Sequence, residues 1–76
     1  MTRAEHLQWT KDRAIKEINA ARSDSDAIKN GMSSFQSDMR KHDELKDHIA
    51  LDLMMQLMFV TPYTRTSLIE FIKGTN

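Results

Sequence analysis

Ten of the twelve residues from Ile49 to Val60 are apolar, and only Asp52 and Gln56 interrupt the run. Wound at about 100° per residue, the segment carries apolar side chains almost all the way round, with Asp52 and Gln56 as a single polar strip one turn apart. A helix with such a surface is either buried from several directions or is itself an interface. At about 18 Å it is far shorter than a hydrocarbon core of about 30 Å, and it carries Asp52, so it is not read as a membrane span. The flanking segments supply amphipathic helices that could wrap it, and this run is therefore expected to lie at the centre of the fold.

Thr2-Arg3-Ala4-Glu5 has the pattern of a capping box and predicts a helix over residues 3–21. Leu7, Ala14, Ile15, Ile18 and Ala21 fall on one stripe of that helix, with Ala4 at its flank. Trp9 projects to the opposite side, among Glu5, Arg13 and Lys16. Arg22 to Asp26 reads as a turn with several candidate N-caps, and a second helix is predicted over 26–41. Ile28, Met32, Phe35 and Met39 make its narrow apolar seam. Gly31 lies beside that seam, either allowing a close helix–helix approach or marking a weak spot. A third helix is predicted over 44–60, opened by the acidic residues Asp43 and Glu44 in keeping with the helix dipole. Pro62 ends it. Thr64 then caps a short fourth helix over 65–73, with Leu68, Ile69, Phe71 and Ile72 apolar and Gly74 as the stop.

Four such helices joined by short turns predict an all-α, antiparallel bundle forming one domain over residues 1–76. A core of this size is marginal without a disulfide, a metal or oligomerisation. The chain has no cysteine, which removes disulfides and thiolate metal sites. Eleven basic and eleven acidic residues leave a formal net charge of zero. That balance argues against the broad electrostatic attraction on which many nucleic-acid binders rely. The polar start of the chain has no apolar signal-peptide core, and the expectation is a soluble protein working inside a cell.

Few groups suggest chemistry. His42, Asp43, Glu44, Asp47 and His48 are dense in potential metal ligands, but their spacing matches neither His-Glu-x-x-His nor an EF-hand loop. Charges at a helix start serve the dipole and solubility, so no metal, cofactor or catalytic residue is expected. His6 is expected at the surface. Asp52 and Gln56 read as the exposed edge of the third helix or as partners of a nearby cation. No glycine-rich loop offers a phosphate cradle.

Two surfaces remain as binding candidates. Trp9, Arg13 and Lys16 form the first: an aromatic beside a cation resembles an interaction hot spot, or could stack a base and touch a phosphate. The competing reading is that Trp9 packs inside its own chain, under the fourth helix or the N-terminal arm. Leu51, Met55, Met58 and Phe59 form the second, as a subunit interface, because three narrow neighbours leave part of the third helix uncovered. The alternative there is a monomer in which the neighbours cover it entirely.

Several phrases of the chain resemble a family of small tailed-bacteriophage proteins. They are Ala4-Glu5-His6-Leu7 with Trp9, Lys11, Arg13 and Ala14; Met32-Ser33-Ser34 with Ser37-Asp38-Met39-Arg40-Lys41-His42; Leu53-Met54-Met55 with Leu57-Met58; and Phe71-Ile72 with Gly74. The resemblance spans nearly the whole chain but carries no catalytic signature and transfers no site residue. It implies an accessory protein acting in the host bacterial cytoplasm, or a minor virion component. The expected function is that of a non-enzymatic, homo-oligomeric protein that binds and modulates a host or phage protein. The alternative is a nucleic-acid or small-nucleotide binder using Trp9, Arg13 and Lys16.

Overall fold

A computed structural model describes residues 2–76, which form α1 (Arg3–Ala20), α2 (Asp24–Arg40), α3 (Ile49–Val60) and α4 (Arg65–Lys73), with no strand among the described residues. The protein is an all-α bundle of four helices. The capping chemistry places three of the helix starts. Glu5 N–H donates to the Thr2 hydroxyl and Thr2 N–H donates to the Glu5 carboxylate, each at 3.2 Å. Hydrogen bonding of its carboxylate to the Thr2 side chain, and then to the Thr2 N–H, holds the Glu5 carboxyl below its ordinary value. Ser23 accepts from Asp26 N–H at 3.1 Å, so α2 begins two residues earlier than the sequence suggests. Thr64 accepts from Ser67 N–H at 3.0 Å and starts α4 where expected.

The core is made by the stripes of α1, α2 and α4. Ala14 and Ile18 of α1, Ala27, Phe35 and Met39 of α2, and Leu68 and Ile72 of α4 are fully enclosed. Gly31 lets these helices close on one another. A Cβ at that position would lie 2.8 Å from Ile18 Cδ1 and 3.2 Å from Leu68 Cδ2, and closer still to Ile18 Cγ1. Of the two readings of Gly31, close helix approach is the one the packing bears out.

Arg65 ties the same three helices together. Its Nη1 and Nη2 donate to the carbonyls of Ile18 and Ala21 at 2.8 and 2.9 Å, and Nε donates to Asp24 Oδ1 at 2.7 Å. The last turn of α1 contains no basic residue. A cation from α4 therefore supplies what the dipole and the orphan carbonyls there require.

The apolar helix is not at the centre. Only Ala50, Leu51 and Met54 of α3 are buried, while its outer faces and its last two turns are open. Once α1, α2 and α4 have closed around Gly31, the middle is full and α3 lies across one side. It also begins at residue 49 rather than 44. The preceding residues form successive turns, with Leu45 N–H and Lys46 N–H bonded to the His42 carbonyl at 2.9 Å and His48 N–H to the Leu45 carbonyl at 3.0 Å. Leu45 is fully buried. In an unbroken helix Leu45 and Met54 would point about 180° apart, so the two could not both face the core. Interrupting the helix lets both turn inward.

Candidate functional site

One cluster of polar and aromatic groups sits where α1 and α2 meet. Asp38, on α2, has a side chain only 3% exposed and faces two cations. Lys41 Nζ donates to Oδ1 at 3.1 Å, and Arg13 Nε lies 3.3 Å from Oδ2 without the alignment of a hydrogen bond. Trp9 stacks above this pair. The Arg13 guanidinium is 4.8 Å and the Lys41 ammonium 5.9 Å from its ring centre. His6 completes the cluster, its ring 5.2 Å from Trp9 and 5.1 Å from His42. The His6 Nε2–H donates to the main-chain carbonyl of Asp38 at 2.6 Å.

His6 is therefore buried, contrary to its expected surface position, because its ring fills the gap between α1 and the end of α2 and its donor satisfies a carbonyl there. Trp9 and Arg13 are together as the sequence suggests, but Trp9 is half-buried among side chains of its own chain. Its ring lies against His6 and Arg13 of α1 and Lys41 at the end of α2. Lys16 is exposed two turns further along α1 and is not in contact with the Trp9 ring. A furrow of about 300 Å³ runs beside Asp38, with Arg13, Asn30, Ser34 and Ser37 among its walls.

The other two histidines fasten backbone. His42 Nδ1 accepts from Glu44 N–H at 3.1 Å. His48 Nδ1 accepts from Ala50 N–H at 3.0 Å as the N-cap of α3, and its Nε2–H donates to the Asn76 main-chain oxygen at 2.7 Å. With residues 43–47 in turns, Asp43 with Asp47 and Glu44 with His48 do not share a face of a regular helix as the spacing suggested. Among the described residues no group of three or more His, Asp or Glu side chains is placed to hold a metal ion.

The second surface is α3 itself. Ile49, Leu53, Met55, Leu57, Met58, Phe59 and Val60 are all exposed, with Phe59 at 87%, Val60 at 78% and Ile49 at 76%. Monomers seldom leave so many large apolar side chains together in water. Leu51 has to be taken out of the proposed subunit interface. It points into the core beside Met54, so only Met55, Met58 and Phe59 of that set are available from outside. Asp52 and Gln56 lie on the solvent side. Ile49, Ala50 and Leu53 also line a groove of about 450 Å³ against Phe71 of α4. The Tyr63 hydroxyl donates to the Met54 carbonyl at 3.0 Å and its ring meets Phe71 edge-on, which fixes α3 relative to α4. Burial raises the Tyr63 pKa above its ordinary value.

Comparison of the chain with protein-family models, with curated proteins and with solved structures finds no match. Asp38 and Arg65 are the two residues of consequence that sequence reasoning missed. For Asp38 the only signal is Lys41 three residues on, a spacing common on any helix surface. For Arg65 there is none, since its three acceptors lie more than forty residues away. Among the described residues, no helix is long and apolar enough to cross a membrane.

Proposed function

We propose that this is a non-enzymatic interaction protein that binds and modulates a host or phage protein by docking α3 against it. The observation that carries this reading is the exposure of seven large apolar side chains on one twelve-residue helix. Partners bury such aromatic and aliphatic anchors and leave a polar rim, here Asp52 and Gln56. The three histidines support a non-catalytic role, because each is engaged with main-chain groups of its own fold. The bacteriophage setting and the host cytoplasm rest on the sequence resemblance alone.

The nucleic-acid alternative draws less support from the cluster geometry. Arg13 and Lys41 share the Asp38 carboxylate, which offsets their charge, and Trp9 already has cations against its ring. Phosphate binding depends on cations free to displace counterions.

The test is capture from a bacterial lysate on immobilised wild type, Phe59→Glu and Trp9→Ala, with folding checked by far-UV circular dichroism. The expected result is a defined protein retained by wild type and by Trp9→Ala and lost with Phe59→Glu. Retention by Phe59→Glu with loss on Trp9→Ala would move the binding surface to α1 and refute the α3 reading.

A further inference from the structure

Asn30-Gly31 is the one Asn-Gly pair in the chain. Such a pair is a reactive setting for an asparagine, because glycine has no side chain to crowd its own nitrogen and leaves the backbone free to turn. In a flexible chain the Gly31 main-chain nitrogen attacks the Asn30 side-chain carbonyl carbon. A carbon–nitrogen bond forms there, the nitrogen's proton passes through solvent to the leaving amine, and ammonia departs from a closed succinimide ring. Water then opens the ring at either carbonyl, leaving aspartate or isoaspartate in place of Asn30. Water is the only co-reactant, and nothing is oxidised or reduced. We propose that Asn30-Gly31 is a latent site of this modification, held shut by the folding of α2 and opened by unfolding, so that time spent unfolded is recorded covalently in the chain.

Backbone geometry, not shielding, keeps the site closed. Asn30 is exposed on the wall of the furrow beside Asp38, so water and base reach it. Gly31, by contrast, is buried in the interior of α2. The helix ladder directs its N–H to the Ala27 carbonyl and withholds the proton that the attack must release. Helical side chains also lean toward the N-terminus, which carries the Asn30 amide away from the nitrogen that follows it. Nor can the glycine be exchanged for a slower neighbour, since a Cβ there would meet Ile18 Cδ1 at 2.8 Å. The residue that lets three helices close thus leaves the chain chemically vulnerable whenever they part. Isoaspartate routes the main chain through an extra methylene at that point of closest approach. The helical register beyond it is lost, so this product cannot re-form the native α2. Aspartate keeps the backbone and only adds a charge to a furrow that Glu17 and Asp38 also line.

The test incubates wild type in mildly alkaline buffer, with and without denaturing urea, and follows Asn30 by peptide mapping that separates aspartate from isoaspartate. Conversion in urea is expected to be about a hundredfold faster, because the native chain reacts only through the small fraction that opens. Asn19, which precedes Ala20, is an internal control and should lag far behind Asn30 in urea. Gly31→Ala should slow the reaction in urea, where its clash with Ile18 no longer matters. Ile72→Ala empties part of the core from α4 and should speed conversion in plain buffer, which separates loss of the fold from any effect of urea itself. The isolated isoaspartate product should fail to recover native circular dichroism once urea is removed, whereas Asn30→Asp should fold. Equal conversion of native and unfolded wild type, no acceleration with Ile72→Ala, or a native spectrum regained by the isoaspartate product would overturn the proposal.

Discussion

Replacing Gly31 with alanine sets two opposing effects against each other. In a helix interior Gly costs about 1 kcal/mol relative to Ala, so Gly31→Ala gains that amount from propensity. The new methyl would meet Ile18 Cγ1 and Cδ1 at less than van der Waals distance, the latter at 2.8 Å. Ile18 is fully enclosed, and a β-branched side chain in a helix has essentially one χ1 rotamer. Relief therefore has to come from movement of a helix, and overpacking of this kind costs about 1–3 kcal/mol. The expected net loss is about 1 kcal/mol, a fall in melting temperature of about 4–8 °C for a domain of this size. The sign should reverse when Ile18 is truncated. Ile18→Ala alone costs about 2–5 kcal/mol, but it deletes both clashing atoms. Against that background only Leu68 Cδ2, the far end of a flexible side chain, stands near the new methyl at 3.2 Å. Gly31→Ala should then raise stability by about 1 kcal/mol, a coupling of about 2 kcal/mol between the two sites. Urea unfolding of the four proteins, followed by circular dichroism with an osmolyte present to keep the weakest folded, measures this directly. Stabilisation by Gly31→Ala in the wild-type background, or the same change in both, would refute the account of Gly31 as the point where the three helices close.

Three other outcomes follow from named contacts. Arg65→Met removes the bonds to the Ile18 and Ala21 carbonyls and to Asp24, and should cost about 2–3 kcal/mol in urea unfolding; Arg65→Lys should recover only part, since an ammonium cannot span all three acceptors. Because burial raises the Tyr63 pKa in the folded state, the unfolded chain ionises first, so its contribution is intact below about pH 10 and declines as pH rises beyond it. Tyr63→Phe should abolish that alkaline slope while lowering neutral-pH stability through the lost bond to Met54, which a pH series of thermal melts reads out. Asp38→Asn leaves Arg13 and Lys41 facing each other without a counter-charge; as both are half-exposed and can rehydrate, the expected cost is about 1–3 kcal/mol, below that of a fully buried pair.

The local parts of the fold were legible in the sequence because their causes are local. Thr2 with Glu5, and Thr64 ahead of Leu68, declare helix starts through hydrogen bonds within four residues. The Met32, Phe35 and Met39 seam declares the buried face of α2 through periodicity alone. The position of α3 was not legible. Periodicity measures how apolar a helix is, whereas the centre of a bundle goes to the helices that can approach most closely, and Gly31 gave that place to α1, α2 and α4. Leu45 illustrates the same limit, because its burial depends on a break in the helix set by where Met54 already points. The Trp9 site was half legible: Arg13 lies at the spacing that stacks on it, but the Asp38 carboxylate beneath comes from another helix and leaves no local trace.

Trp9 is the only tryptophan in the chain, and it is held against His6, Arg13 and Lys41 at the junction of α1 and α2. Its emission is therefore a spectroscopic gauge of that junction alone, with no direct view of α3. Tyr63 occupies the corresponding post at the other junction, between α3 and α4. The two chromophores make an unlabelled pair of reporters. A denaturation curve from tryptophan that lags behind one from tyrosine would mean that the apolar helix detaches before the three-helix core gives way.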